Sequence, residues 1–259
     1  MYWDKLIIVF LSELISRDDG STNCQIASHI LGNLETVRQS NIDEMARQCH
    51  VSTSSISRFC RDIGLNSFAE LRDLIDSASF NFDLLPESSS TERRSLDLVE
   101  RVVESLNLVS ESLNHESLDL LVKDIARYQN IALFGLLKAE TVAMNLQSDL
   151  LVLGKKAVTK VAFKQQLDYL NGATEEDLIV IFSYTGIYFQ HAAQPQVLPG
   201  KSKPKVYFIT SDCSAEPNGY FDHVIRFKSR QDYTSHPFQL QFVVSLIAQS
   251  YAYHMAEER

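Results

Sequence analysis

Up to about residue 80, apolar side chains return every three or four positions with few β-branched runs, and Asp19-Gly20, Gly32-Asn33, Gly64 and Asn66 interrupt the pattern. That spacing predicts a bundle of short helices. From Asn81 to Ser95 the stretch NFDLLPESSSTERRS mixes Pro, Ser and both signs of charge, which predicts a linker. Leu96, Val99, Val102, Val103, Leu106, Val109 and Leu113 then form one stripe of a helix, which packs either on its own domain or on a partner subunit. A helix over 118–128 follows, and after it the texture alternates. Strands are expected at 131–135, 157–161, 177–183, 205–210 and 223–227, with helices at 139–153, 164–170 and 238–255. Strands that are apolar throughout and alternate with helices predict a parallel sheet covered on both faces. The expected architecture is an all-α N-terminal domain at 1–80, a linker at 81–95, and an α/β domain at 96–259. Its mainly parallel five-stranded sheet would lie in an α/β/α sandwich.

Within the helical part, Asn41-Ile-Asp-Glu44 has the cap-then-acid pattern of a helix start, and that helix runs to Cys49. His50-Val51 makes a short turn, Ser52 takes the N-cap of a second helix, and Gly64 stops it. In this second helix Ile56, Phe59, Cys60 and Ile63 fall at i, i+3, i+4 and i+7, so one face is core. Thr53, Ser54, Ser57, Arg58 and Arg61 point outwards. Small hydroxyls at a helix N-terminus allow close approach to phosphate or base edges, and arginines further along neutralise phosphate or grip guanine. Helix, tight turn, helix with this outer face is a candidate DNA-binding element, and Ser52, Thr53, Ser54, Ser57, Arg58 and Arg61 are its candidate contacts.

In the α/β part, DLIVIFSYTG (177–186) ends a buried strand in Ser183, Tyr184, Thr185 and Gly186. Hydroxyls and backbone N–H groups at the carboxyl edge of a parallel sheet stand where such sheets bind ligands. Gly186 lets the backbone approach an anion, and Thr210, Ser211 and Asp212 end the next strand at the same edge. Lys138, in the loop GLLKAE (135–140), is a candidate charge for that crevice, and His236-Pro237-Phe238 precede the last helix.

Composition narrows these options. The 259 residues carry a net charge of −9, and residues 1–80 alone hold seven Lys+Arg against eleven Asp+Glu. Nucleic acid would therefore be met only by a small basic face, within the roughly 8 Å that screening at physiological salt allows. Cys24, Cys49, Cys60 and Cys213 show no CxxC pair and no zinc-ligand spacing, which predicts four buried free thiols and no metal site. No apolar run reaches membrane-spanning length and no signal-peptide pattern opens the chain, so the cytoplasm is the expected compartment.

Residues 42–75, IDEMARQCHVSTSSISRFCRDIGLNSFAELRDLI, closely resemble the N-terminal domain of the RpiR family of bacterial transcriptional regulators. Met45-Ala46, Val51-Ser52, Ile56, Arg58-Phe59, Gly64, Phe68 and Leu71 occupy the places of that family's pattern. The resemblance implies a helix-turn-helix domain that binds operator DNA as a dimer, followed by a SIS (sugar isomerase) domain. It further implies a regulator of sugar or carbohydrate metabolism controlled by a phosphorylated sugar or related metabolite, without catalysis or cofactor. Partners would then be double-stranded operator DNA, the effector, and further copies of the chain as a homodimer or dimer of dimers. The stretch 177–186 resembles the SIS strand and turn, which would make Ser183, Tyr184, Thr185, Gly186 and Lys138 effector-binding. In GLLKAE, Leu137 stands at a usual glycine place and Ala139 at a usual serine place. Two rivals remain: a SIS-fold sugar-phosphate isomerase, with Glu140, His191 and His236 as candidate bases, and a regulator whose SIS domain only dimerises.

Overall fold

The computed structural model describes residues 21–63, 65–76, 90–189, 203–232 and 234–257; Gly64, residues 81–89 of the expected linker, and His191 fall outside them. The chain divides into two compact units, one drawn mainly from the residues up to 81 and the other mainly from those after it.

The helical unit contains α1 (Thr22–Gly32), α2 (Leu34–Gln39), α3 (Ile42–Gln48), α4 (Thr53–Asp62) and α5 (Phe68–Asp76). Asn41 and Glu44 close a capping box at the start of α3: the Asn41 side chain accepts from Glu44 N, and the Glu44 carboxylate accepts from Asn41 N, both at 2.9 Å. Helix α3 ends because His50 adopts φ 53°, which turns the chain so that Val51 N donates back to Ala46 O at 2.9 Å. Ile26, Ile30, Val37, Met45, Ile56, Phe59, Cys60, Leu71 and Ile75 are fully buried together, so α1 to α5 all contribute to one core. Asn23 Nδ2 donates to Asp62 at 3.1 Å and ties α1 to the end of α4.

The second unit contains α6 (Thr91–Ser112), α7 (His115–Arg127), β1 (Asn130–Phe134), α8 (Lys138–Val152), β2 (Asp177–Phe182), β3 (Lys205–Thr210), β4 (His223–Arg226) and α10 (His236–Glu257), while most of α9 (Phe163–Gly172) is grouped with the first unit. The four strands among the described residues are parallel, in the order β1-β2-β3-β4. The fifth strand expected at 157–161 is reduced to one parallel bridge between Val158 and Ala132, on the outer side of β1. Val158 exchanges two backbone hydrogen bonds there, from its N to Ile131 O at 2.9 Å and to its O from Leu133 N at 2.8 Å. It remains 41% exposed, so the segment lacks the two-sided burial that would extend a central strand.

Ile131, Leu133, Leu178, Val180, Phe182, Tyr207, Ile209 and Ile225 form one face of the sheet and share a core with α6, α7, α8 and α10. The opposite face, with Ala132, Phe134, Ile179, Ile181, Val206 and Phe208, is buried as well. Tyr207 Oη donates to the buried Asp124 at 2.6 Å, and Lys205 Nζ lies 2.5 Å from the same carboxylate, joining α7 to β3.

Two further expectations change. Helix α6 begins at Thr91 rather than Leu96, because Ser90 Oγ caps it by accepting from Arg93 N at 3.2 Å and Arg93 pairs with Asp97 one turn on. Of the four cysteines, three are buried and Cys213 is exposed, since it follows β3 in a surface loop. The apolar stripe of α6 also divides: Val109 and Leu113 enter the core, while Leu96, Val99 and Val103 stay 57%, 57% and 51% exposed.

Candidate functional site

Helix α4 begins at the predicted cap, with Ser52 Oγ accepting from Ser55 N at 3.1 Å. The same oxygen lies 2.7 Å from Ser54 Oγ and 2.9 Å from Ser55 Oγ, so three hydroxyls form one bonded cluster at the helix N-terminus. Ile56, Phe59 and Cys60 anchor the underside, and burial pushes the Cys60 thiol up to about 12, which keeps it an inert, protonated packing group. Ser52, Thr53, Ser54, Arg58 and Arg61 are exposed and Ser57 is half-buried. The six predicted contacts therefore stand on one helix above a fixed core, and among the described residues neither Arg58 nor Arg61 is held in an ion pair. This arrangement presents two guanidiniums and a hydroxylated, positive helix end without further rearrangement.

In the α/β unit the chain runs from β1 outward to the 157–161 bridge and then back to β2 on the other side. The point where strand order reverses, between the carboxyl ends of β1 and β2, is where open parallel sheets leave a crevice. The loop GLLK leaves β1 there, and Ser183–Gly186 leaves β2. The turn after β2 is firmly tied. Ser183 Oγ accepts from Tyr188 N at 3.3 Å, and Gly186 N donates to Ser183 O at 3.0 Å. Tyr184 O accepts from Ser211 N at 3.1 Å and from Ser211 Oγ at 2.7 Å. The Tyr184 hydroxyl bonds Ser229 Oγ, and its ring lies 4.6 Å from the His236 ring. Gly186 has φ 77°, and a Cβ there would stand 2.5 Å from Asp212 Oδ2, so the position demands glycine.

Ser183, Tyr184 and Gly186 are thus brought together with Ser211, Asp212 and His236. Their hydroxyls and N–H groups are largely committed to holding the turn, while Thr185 is exposed. Lys138 sits on the other lip as the first residue of α8. In that loop Leu137 occupies φ 51°, a backbone conformation suited to glycine, and Gly135 is required because a Cβ would fall 2.6 Å from the backbone of Ala139. Glu140, in the first turn of α8, is 5% exposed, and its Oε1 has no hydrogen-bond partner among the described residues. Burial pushes its carboxyl up to about 7. Tyr188 is held well above the usual phenol range, first by burial and then by the Glu140 carboxylate. Sequence reasoning missed Tyr188, Ser229 and Gln231, which donates to Ser211 Oγ at 3.0 Å. None of them lies in a motif, and only the fold carries them to this edge.

Fold and site together define a class: a helix-turn-helix domain joined to a parallel α/β domain whose loops after β1 and β2 meet at its switch point. Residues 19–79 match the helix-turn-helix domain of the rpiR family. The transcriptional regulator HexR of Pseudomonas aeruginosa is 25% identical over 183 residues, covering 68% of this chain and 64% of that protein. An uncharacterized helix-turn-helix regulator of Providencia stuartii is 23% identical with the same coverage. The chain therefore aligns with somewhat under two thirds of the length of these relatives. Among solved structures, NanR of Vibrio vulnificus complexed with ManNAc-6P matches 98% of this chain and 92% of its own at 17% identity and a TM-score of 0.52. The sugar isomerase domain of an RpiR transcription factor from Sphaerobacter thermophilus covers 63% of this chain and 92% of its own, at 20% identity and a TM-score of 0.50. The second unit thus has the SIS fold. No described helix is long and apolar enough to cross a membrane.

Proposed function

We propose that this protein is a DNA-binding transcriptional regulator of sugar or carbohydrate metabolism that responds to a phosphorylated sugar or related metabolite in its SIS-type unit and acts as a homodimer or dimer of dimers. The observation that carries it is α4: a helix whose capped, hydroxylated N-terminus and exposed Arg58 and Arg61 stand over a buried apolar face, within an rpiR-type domain. In the groove, Thr53, Ser54 and Ser57 would meet base edges or phosphates near the N-terminus, and the two arginines would grip phosphate or guanine. The relatives named as transcriptional regulators support regulation rather than isomerase catalysis. NanR, a protein solved with a sugar phosphate, supports that effector class. Genomic fragments captured by the wild-type protein supply the operator. The double substitution Arg58→Ala, Arg61→Ala is expected to weaken binding to it by at least about thirtyfold, at roughly 1–3 kcal/mol per arginine contact. Unchanged folding and oligomeric state would accompany that loss, and retained sequence-specific binding would remove these residues from the interface.

A second reading, in which the SIS unit serves only to dimerise, is favoured by the internal hydrogen bonds of the Ser183–Gly186 turn, in which Ser183 N and Gly186 N donate to backbone carbonyls and Ser183 Oγ accepts from Tyr188 N. Thermal shift against a panel of sugar phosphates separates the two, since a ligand that binds the native state raises apparent stability by mass action.

A further inference from the structure

Helix α4 carries an acid on the same side as Arg58. Arg58 and Asp62 stand at i and i+4, a separation at which helical side chains are neighbours and opposite charges pair. Asp62 is also the last residue of α4, where the negative end of the helix dipole disfavours a carboxylate. An Arg58–Asp62 pair would be the ordinary local outcome, and it would offer DNA a neutralised guanidinium with an anion at its side. Instead Arg58 is exposed and makes no ion pair among the described residues.

The Asp62 carboxylate has another partner. Asn23 lies in the first turn of α1, is 6% exposed, and donates from Nδ2 to Asp62 Oδ2 at 3.1 Å. The acid of α4 is thereby held beside the N-terminus of an 11-residue helix, whose dipole and first-turn N–H groups suit an anion. Ser21 Oγ accepts from Cys24 N at 3.2 Å and fixes that first turn. We infer that Asn23 is a positioning residue of the DNA-binding face: by holding the Asp62 carboxylate it keeps Arg58 unpaired for phosphate or guanine. An arginine kept free in this way breaks no pair when it meets DNA, and no loose carboxylate stands beside the phosphate. Arg61 needs no such device, since neighbours at i and i+1 on a helix do not face each other. The inference rests on the reading of α4 as the DNA-contacting helix.

The test measures binding of the full-length protein to its captured operator, by fluorescence anisotropy. It compares the wild type with Asn23→Ala, Asp62→Ala, the double variant of the two, and Arg58→Ala. Asn23→Ala and Asp62→Ala break the same hydrogen bond, but only the first leaves a carboxylate to turn to Arg58. Asn23→Ala is expected to weaken binding about two- to fivefold, the weight of an exposed pair that DNA must open. Asp62→Ala and the double variant are expected to bind at least as tightly as the wild type. A loss in Asp62→Ala equal to that in Asn23→Ala makes the contact a plain tie between α1 and α4 and overturns the inference. Unchanged binding by Asn23→Ala, where Arg58→Ala binds weakly, overturns it too and leaves the reading of α4 standing. Unchanged binding by Arg58→Ala overturns the role of Arg58 itself, and this inference with it. Circular dichroism checks that each variant keeps its helices; Asn23→Leu, which preserves volume without a donor, replaces Asn23→Ala where the latter does not.

Discussion

Leucine rarely occupies the positive-φ half of backbone space, where strain of roughly 1–3 kcal/mol is usual, yet Leu137 is held at φ 51° and ψ −109° in the loop after β1. Leu137→Gly is expected to raise the unfolding free energy by up to about 1 kcal/mol, read by urea denaturation. Gly135→Ala should do the reverse, since its Cβ meets the Ala139 backbone at 2.6 Å. The place of the glycine-rich loop was legible because its spacing from the strand survives in GLLKAE. What replaced its donors was not, because whether a first-turn glutamate is buried depends on Tyr188, 48 positions further on. Glu140 gives this residue-scale picture a pH signature. Its carboxyl stands at about 7 in the folded protein against 4.5 ordinarily, so its neutral form is favoured by folding. Below about 4.5 there is no penalty; as pH rises to 7 the unfolded chain releases a proton that the folded one keeps, and stability falls. The loss above pH 7 is at most of order 3 kcal/mol. Thermal midpoints at pH 5 and pH 8 should accordingly diverge in the wild type for this reason, and Glu140→Gln should narrow the gap by several degrees.

Elements were read most securely where one local signal and one periodic signal agreed. For α3 and α4, Asn41, Glu44 and Ser52 mark the starts and Ile56, Phe59 and Cys60 the buried face, and all of them act as their positions suggest. Ser52→Ala should cost about 1 kcal/mol of stability by leaving the first turn of α4 uncapped. The 157–161 segment went the other way: its β-branched valines are right for a strand, but at the edge of β1 nothing among the described residues pairs with its far side. Helix α6 began early because a serine cap outweighed the linker-like composition around it. Its exposed Leu96, Val99 and Val103 recur one and two turns apart on one side of the helix, the pattern of a face that packs on another helix. If a second copy covers that face, Val99→Asp will shift sedimentation towards monomer without altering the circular dichroism of the monomer. An unchanged sedimentation coefficient would place the contact between copies elsewhere.

At the scale of the molecule, a symmetric dimer of a helix-turn-helix protein reads two half-sites separated by one helical turn of DNA, or a multiple of it. Footprinting of the captured operator should therefore show protected patches repeating at about 10 base pairs or a multiple of that. The negative charge of the chain sets a second condition: with only two arginines among the six proposed contacts, few counterions are displaced. The salt dependence of operator binding should be correspondingly shallow. The hydroxyl cluster of Ser52, Ser54 and Ser55 has its own bearing on what a bound site looks like. Hydroxyls joined through Ser52 Oγ can exchange donor and acceptor roles with it, so each can meet a donor or an acceptor edge with little rearrangement. A guanidinium can only donate. In an alignment of bound sites, the base pairs beneath the start of α4 should carry little information, and the consensus should sharpen to guanine where Arg58 or Arg61 arrives.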